Sequence, residues 1–316
     1  MYTKPDFIGI GQMKAGTGWL YDNLRSHRHV WMPIKKELQF FNAGIQVSVI
    51  QRKLGLFIGT PPSGRFQQPE QTIWKHVLSS GQNAGDMQKQ IDLLQLDFDF
   101  FINALFRYNI ANLRRTSEKS SKSGEFLFNS REAKWYNRLF PDTDAVPCSG
   151  EISPSYAVLS EKVVKKIINF FPQLRVILIL RDPMKRSISH IQHLVRTKPW
   201  VEDWTADRLF DLIQILPNVL HQSRVSGFEE TWLKHIPDDR LLLLDFRDII
   251  QSPESVMADV ATFLCLEPGG YTADLTVNQK EDFTSIDIPD TLIDWLEQEL
   301  AGEAAHMERI LGRGSV

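Results

Sequence analysis

The sequence predicts an α/β protein: a P-loop-like, three-layer α/β/α fold with a central parallel sheet of about five strands and a helical insertion. Three observations lead there. Short apolar runs alternate with helical patterns along the chain. One run, Val176-Ile177-Leu178-Ile179-Leu180, is apolar at every position, as a strand covered on both faces must be. The first run leads directly into a glycine loop and then a helix.

Taken in order, the expected strands are Phe7–Gly11, Val30–Met32, Ala145–Gly150, Arg175–Leu180 and Leu241–Asp245. Leu20, Leu24 and His27 mark a helix from Thr17 onward, and Glu161–Phe171, Pro183–Arg196 and Pro253–Leu264 read as further helices. Between Asn42 and Leu127 the alternation breaks. Thr60-Pro61-Pro62-Ser63-Gly64 is a loop, and Ile91–Ile110 carries Leu93, Leu94, Leu96, Phe100, Phe101 and Leu105 at helical spacing. We therefore expect one domain over residues 1–316, with 43–127 as a helical insertion or acceptor lid. Arg107, Arg114, Arg115, Lys119 and Lys122 cluster around the polar stretch Thr116–Ser123, either as solvated surface or as part of a lid that recognises an acidic substrate.

Composition narrows the function classes. With 316 residues and 42% apolar content the chain can bury an ordinary core. A formal charge of −3 argues against a general nucleic-acid binder, so an anionic ligand needs locally focused positive charge. Cys148 and Cys265 are too few for a disulfide framework or a cysteine-rich metal site. The first strand begins within a few residues of Met1, and no apolar stretch approaches spanning length; the expectation is a cytoplasmic protein with no membrane partner.

The segment Gly11-Gln12-Met13-Lys14-Ala15-Gly16-Thr17-Gly18-Trp19-Leu20 carries the chemistry. Its glycines allow a tight turn with inward N–H groups, and the following helix start adds partial positive charge, which together make an anion cradle. An ordinary nucleoside-triphosphate loop reads Gly, four residues, Gly-Lys-Ser/Thr. Here Gly11 and Gly16 keep that spacing, but Thr17 stands where the lysine belongs and Lys14 lies inside the loop. The displaced lysine still offers a point charge to a phosphate or sulfate oxygen, whereas the usual magnesium-binding hydroxyl is gone. No metal site is expected.

Two further motifs sit at expected strand ends. Arg181 closes the apolar run, Asp182-Pro183 opens a helix, and Ser187, Ser189, His190 and His193 follow on it. An arginine there and a serine eight residues on can converge on one phosphate group. Gly150-Glu151-Ile152-Ser153-Pro154-Ser155-Tyr156 follows the third strand; Glu151 either orients Lys14 or faces an acceptor, or the segment is only a turn opening the next helix. Trp74, Trp135, Tyr136 and Trp200 either line an aromatic acceptor slot or belong to the core.

Phe7–Leu20, Lys36–Asn42, Gly150–Tyr156 and Leu178–His193 resemble, in order, the signature blocks of the sulfotransferases that use 3′-phosphoadenosine 5′-phosphosulfate (PAPS). A weaker likeness continues through Trp232-Leu233, Arg240–Asp245, Pro253 and Phe263-Leu264, and Glu308–Arg313 is similar to the end of bacterial members. The resemblance implies that Lys14, Ala15, Gly16, Thr17, Gly18 and Trp19 surround the 5′-phosphosulfate, with Lys14 at the bridging oxygen. It implies that Arg181 and Ser189 hold the 3′-phosphate that distinguishes this donor from ATP. Glu-Leu-Gln-Phe-Phe-Asn at 37–42 is similar to the N-sulfotransferase domain of heparan sulfate synthesis, which makes Glu37 the expected catalytic base and places His193 near the acceptor, with His190 as its competitor. Ile152 and Gly18 depart from the common pattern, where lysine and Thr or Ser stand.

The expected reaction is in-line transfer of a sulfuryl group from PAPS to a hydroxyl or amine of a small-molecule or carbohydrate acceptor, releasing PAP without a metal. Phe40 and Phe41 are expected to give Glu37 an apolar setting that strengthens it as a base. A P-loop kinase using ATP and a non-catalytic, nucleotide-responsive interaction protein are the alternatives.

Overall fold

Five short apolar runs assemble into one parallel sheet because each is followed by a helix that can carry the chain back across a face. The structure is a computed structural model that describes residues 2–33, 36–41, 130–137, 139–140, 147–196, 205–215, 218–271 and 288–313. Strand β1 (Phe7–Gly11) leads through the glycine loop to helix α1 (Thr17–Ser26) and strand β2 (Val30–Trp31). Helix α2 (Ser130–Asn137) comes next among the described residues, followed by β3 (Cys148–Ile152), a 3-10 turn at Pro154–Val158 and α3 (Glu161–Phe170). Strand β4 (Arg175–Leu180) enters α4 (Pro183–Arg196), and α5 (Ala206–Ile215) and α6 (Asn218–His221) follow. A helical turn at Ser226–Phe228 widens into a π-turn at Glu229–Leu233 before β5 (Leu241–Asp245). Helices α7 (Phe246–Gln251), α8 (Pro253–Phe263), α9 (Asp290–Glu299) and α10 (Glu303–Arg313) complete the described chain.

The sheet order is β2-β3-β1-β4-β5, with every pair parallel. From β1 the chain moves out to β2, returns beside β1 as β3, and then crosses to β4 on the other side. The carboxyl ends of β1 and β4 therefore flank the topological switch point, where open α/β sheets leave a crevice for ligands. Phe7, Ile8, Ile10 and all of Val176–Leu180 have no solvent exposure, as expected for central strands. Gly150 faces Phe7 so closely that an added Cβ would lie 2.5 Å from its ring, so the β1–β3 contact requires glycine.

Strands β1, β4 and β5 fall where the sequence places them, and α3, α4 and α8 agree within a residue. Strand β3 is different. Expected at Ala145–Gly150, it runs two residues further, to Ile152, with residues 145 and 146 outside the described set. Glu151 is consequently a strand residue and fully buried, not a group beyond the strand end.

The chain divides into two compact units, Met1–Asn42 with Phe140–Val316, and Ala43–Leu139. The expected insertion at 43–127 lies outside the described residues, together with its basic cluster, Trp74 and Trp200. Tyr136 is fully buried. No helix among the described residues is long and apolar enough to cross a membrane.

Candidate active site

The loop after β1 is shaped from beneath by side chains that hold its backbone. Buried Gln12 accepts from the Arg181 amide at 2.8 Å through its side-chain oxygen and donates through its amide to the Gln222 carbonyl at 2.6 Å. Gln222 answers by accepting from Met13 N at 3.1 Å and donating to the Pro154 carbonyl at 2.9 Å. Two arginines from the β4–α4 segment take the next carbonyls. Arg186 donates to Met13 O at 3.2 Å and Arg181 to Lys14 O at 2.7 Å.

With these carbonyls held, the N–H groups of Lys14, Gly16, Thr17 and Gly18 have no hydrogen-bond partner among the described residues. They lie at the start of α1, where the helix dipole adds to them. Gly16 has φ 85°, and a Cβ there would meet the Phe246 ring at 3.2 Å. The same ring lies 4.6 Å beneath the Arg181 guanidinium, a cation–π contact that fixes the arginine over the loop.

Charge is strongly focused here despite the net −3 of the chain. Burial, followed by the positive charges of Arg196, Arg181, Lys36 and Arg186, lowers the Lys14 ammonium below the usual lysine value. Burial likewise lowers Arg181. Such a collection of cations is unfavourable in the empty protein and becomes favourable around a polyanion.

A second loop, residues 36–41, brings a carboxylate to this cradle. Lys36 Nζ lies 3.3 Å from both Thr17 Oγ1 and Glu37 Oε1, which joins the start of α1 to the glutamate. Gln39 Nε2 donates to Glu37 Oε2 at 3.3 Å. Four backbone amides of the loop are held by the end of β3 and the turn beyond it. Glu37 N donates to Ile152 O at 3.1 Å, Leu38 N to Glu151 Oε2 at 3.1 Å, Gln39 N to Ser153 Oγ at 3.1 Å and Phe41 N to Tyr156 Oη at 3.4 Å. Glu151 also accepts from Ser153 Oγ at 2.7 Å and Tyr156 Oη at 2.9 Å. Burial and the adjacent Glu151 carboxylate raise the Tyr156 phenol well above its usual value, keeping it a donor.

These bonds support a backbone that is otherwise costly. Glu37 and Gln39 have φ of 67° and 52°, left-handed values that cost a residue with a Cβ about 1–2 kcal/mol each. Phe40 and Phe41, expected to cover Glu37, are turned into the core, Phe41 against Tyr156 and Phe171. Lys36 and Gln39 are the contacts the Glu37 carboxylate makes instead, with about a third of the side chain exposed.

The structure brings Lys14, Gly16, Thr17, Gly18 and Arg181 to one crevice, with Glu37 joined to it through Lys36. Ala15 differs in character: its methyl is in the core and its amide donates to Gln12 O at 3.2 Å. Trp19 packs partly buried against the same core cluster. Ser189 is half-buried on α4, and its hydroxyl has no hydrogen-bond partner among the described residues. His190 is buried beside Arg186, and His193 lies almost one helical turn further along, half-buried. Among the described residues no group of three or more His, Cys, Asp or Glu side chains is placed to hold a metal ion.

Lys36, Arg186, Gln222 and Ser223 carry no expected role in the sequence, and Glu151 none as the anchor of the 37–41 loop. Arg186 carried a usable signal, since it follows Arg181 by five residues on the helix that leaves the switch point. Gln222 carried none, being 210 residues from Gln12.

A parallel sheet with a glycine loop and a cluster of cations at its switch point defines a P-loop-like, three-layer α/β/α protein. The family model described as "Sulfotransferase family" matches residues 5–268, and the chain belongs to that family. It is 29% identical over 186 residues to the mouse (Mus musculus) bifunctional heparan sulfate N-deacetylase/N-sulfotransferase 3, covering 53% of this chain and 21% of that protein. It is 26% identical over 137 residues to human (Homo sapiens) heparan sulfate glucosamine 3-O-sulfotransferase 3B1, covering 42% of this chain and 35% of that one. The chain thus spans well under two thirds of these relatives' lengths. A solved sulfotransferase from Alicyclobacillus acidocaldarius superposes with a TM-score of 0.54 at 15% identity, over 97% of this chain and 96% of that one, a likeness of fold.

Proposed function

We propose that this protein transfers a sulfuryl group from PAPS to a hydroxyl or amine of a carbohydrate or small-molecule acceptor. The observation that carries this reading is the row of amides at Lys14, Gly16, Thr17 and Gly18 with no partner among the described residues, set among Lys14, Arg181 and Lys36. That donor set fits a ligand with several negative charges, and PAPS supplies an activated sulfuryl group on its 5′-phosphate.

Glu37 accepts the proton of the attacking hydroxyl or amine as its new bond to sulfur forms and the bond from sulfur to the phosphate oxygen breaks. Lys14 and the loop amides hold the negative charge that grows on that oxygen. Arg181 and Ser189 hold the 3′-phosphate, and His193 assists on the acceptor side of Glu37. Lys36, bonded to both Thr17 and Glu37, keeps the base and the donor loop in register. The likeness to the heparan sulfate enzymes favours a carbohydrate acceptor.

Titration calorimetry with 3′,5′-ADP tests the reading. Binding without magnesium, weakened at least tenfold in Arg181→Ala, is expected. A requirement for Mg-ATP in place of 3′,5′-ADP overturns it in favour of a kinase. Binding of 3′,5′-ADP with no transfer of label from 35S-PAPS to any acceptor in a broad carbohydrate and small-molecule panel identifies a nucleotide-responsive interaction protein instead.

A further inference from the structure

Beneath the donor loop lies a cation that the proposed chemistry does not use. Arg186 has no solvent exposure. Its Nε donates to Ser223 Oγ, its Nη2 to the Val219 carbonyl, and its Nη1 to Met13 O at 3.2 Å, with His190 Nδ1 at 3.3 Å. A guanidinium has only donors, so His190 Nδ1 accepts and the imidazole proton sits on Nε2. None of these four partners carries a negative charge. No ion pair among the described residues includes Arg186, and Arg181, the charge that acts on it most, is also positive. A buried charge without a counter-charge is retained at a cost.

The geometry of one peptide explains what that cost achieves. In a trans peptide the C=O and the next N–H point in opposite directions. The Met13–Lys14 peptide is trans, so the grip of Arg186 on Met13 O turns Lys14 N–H to the far side, where it has no partner among the described residues. The positive charge at the carbonyl end also polarises that N–H, making it a stronger donor. Arg181 holds the following carbonyl, but the amide beyond it, Ala15 N–H, is already bonded within the loop.

We propose that Arg186 is a positioning residue for the donor site: it aims and polarises the Lys14 amide toward the 5′-phosphate end of the bound nucleotide. The bound anion in turn supplies the counter-charge that Arg186 lacks. This rests on the donor reading above.

The test compares two probes by calorimetry, 3′,5′-ADP and adenosine 3′-monophosphate, which differ only in the 5′-phosphate. Arg186→Lys is expected to weaken 3′,5′-ADP about tenfold and to leave the 3′-monophosphate within about twofold. Ser223→Ala, which frees Nε and also removes the Ser223 Oγ contacts to Ser187 Oγ and the Pro183 carbonyl but leaves the grip of Nη1 on Met13 O, should give a smaller loss with the same selectivity, and it carries the test if Arg186→Lys fails to melt cooperatively. Equal losses for both probes, or no loss for either, overturn the proposal. Wild-type protein that binds neither probe overturns the donor reading itself, and this one with it.

Discussion

Lys14→Met separates what the donor loop does for function from what it does for stability. The substitution keeps an unbranched, flexible side chain and the φ of 67° that any non-glycine residue must bear at this position, and removes the ammonium group. In the empty protein that charge is desolvated and surrounded by Arg196, Arg181, Lys36 and Arg186. The variant should therefore melt no lower than wild type. Ligand reverses the order. At one hundred times its dissociation constant, 3′,5′-ADP stabilises wild type by about 2.7 kcal/mol. Spread over 316 residues, an unfolding entropy of about 2.1 cal/mol/K per residue makes this a rise in Tm of about 4 °C. A charge-assisted hydrogen bond contributes about 1.5–3 kcal/mol, so Lys14→Met binds roughly 10- to 100-fold more weakly. The same ligand concentration then raises its Tm by only about 1–2 °C. Differential scanning calorimetry with and without ligand reads both effects. The pH dependence has a definite sign. Because the folded-state value of Lys14 is depressed, the unfolded chain holds a proton that the folded chain gives up. Wild type accordingly gains stability relative to Lys14→Met as pH rises from the depressed value toward 10.5. A ligand-free Tm several degrees below wild type, or an undiminished ligand shift, refutes the reasoning.

Four other outcomes follow from the same geometry. Glu37→Gln should retain 3′,5′-ADP binding while turnover falls about 100-fold or more, measured as transfer from 35S-labelled donor. Gln39→Gly relieves a left-handed φ of 52° and removes the contact to Glu37 Oε2, so urea unfolding should show unchanged or slightly higher stability while turnover drops. Burial, with the neighbouring Asp6 charge, pushes the Cys148 thiol up to about 12; iodoacetamide at pH 8 should alkylate exposed Cys265 and spare Cys148 by peptide mapping until the protein unfolds. Glu161, held at about 2 by His235, Lys165 and Lys234, contributes stability that is full above its unfolded value and lost as pH falls toward the folded one. The gap in urea midpoint between wild type and Glu161→Gln should accordingly narrow as pH falls from about 5 toward 3.

The frame of the protein was legible wherever hydrophobic burial alone decides the conformation. Residues 176–180 are apolar throughout because both faces of β4 are covered, and Asp182-Pro183 marks the start of α4 by its own backbone chemistry. The boundary of β3 failed for the converse reason. Gly150 and Glu151 interrupt the apolar pattern, and Ser153, Tyr156 and Leu38 N, brought in by the fold, help make a buried carboxylate tolerable there. Lys14 and Glu37 stood out by type and spacing. Arg186 and Gln222 act by gripping backbone atoms far away in sequence, and a carbonyl leaves no mark in a string of side chains. The setting of Glu37 was misjudged because adjacent phenylalanines suggest a local apolar patch, whereas two left-handed residues turn both rings inward.

The way the 37–41 loop is fastened leaves one of its positions, Leu38, free to change. Ile152, Glu151, Ser153 and Tyr156 seize main-chain N–H groups, a feature every residue but proline offers, and so the clasp does not read which side chains the loop bears. Leu38 can be varied without displacing the carboxylate at 37, which gives evolution, or a combinatorial library, a place to change the surroundings of that carboxylate while its backbone stays put.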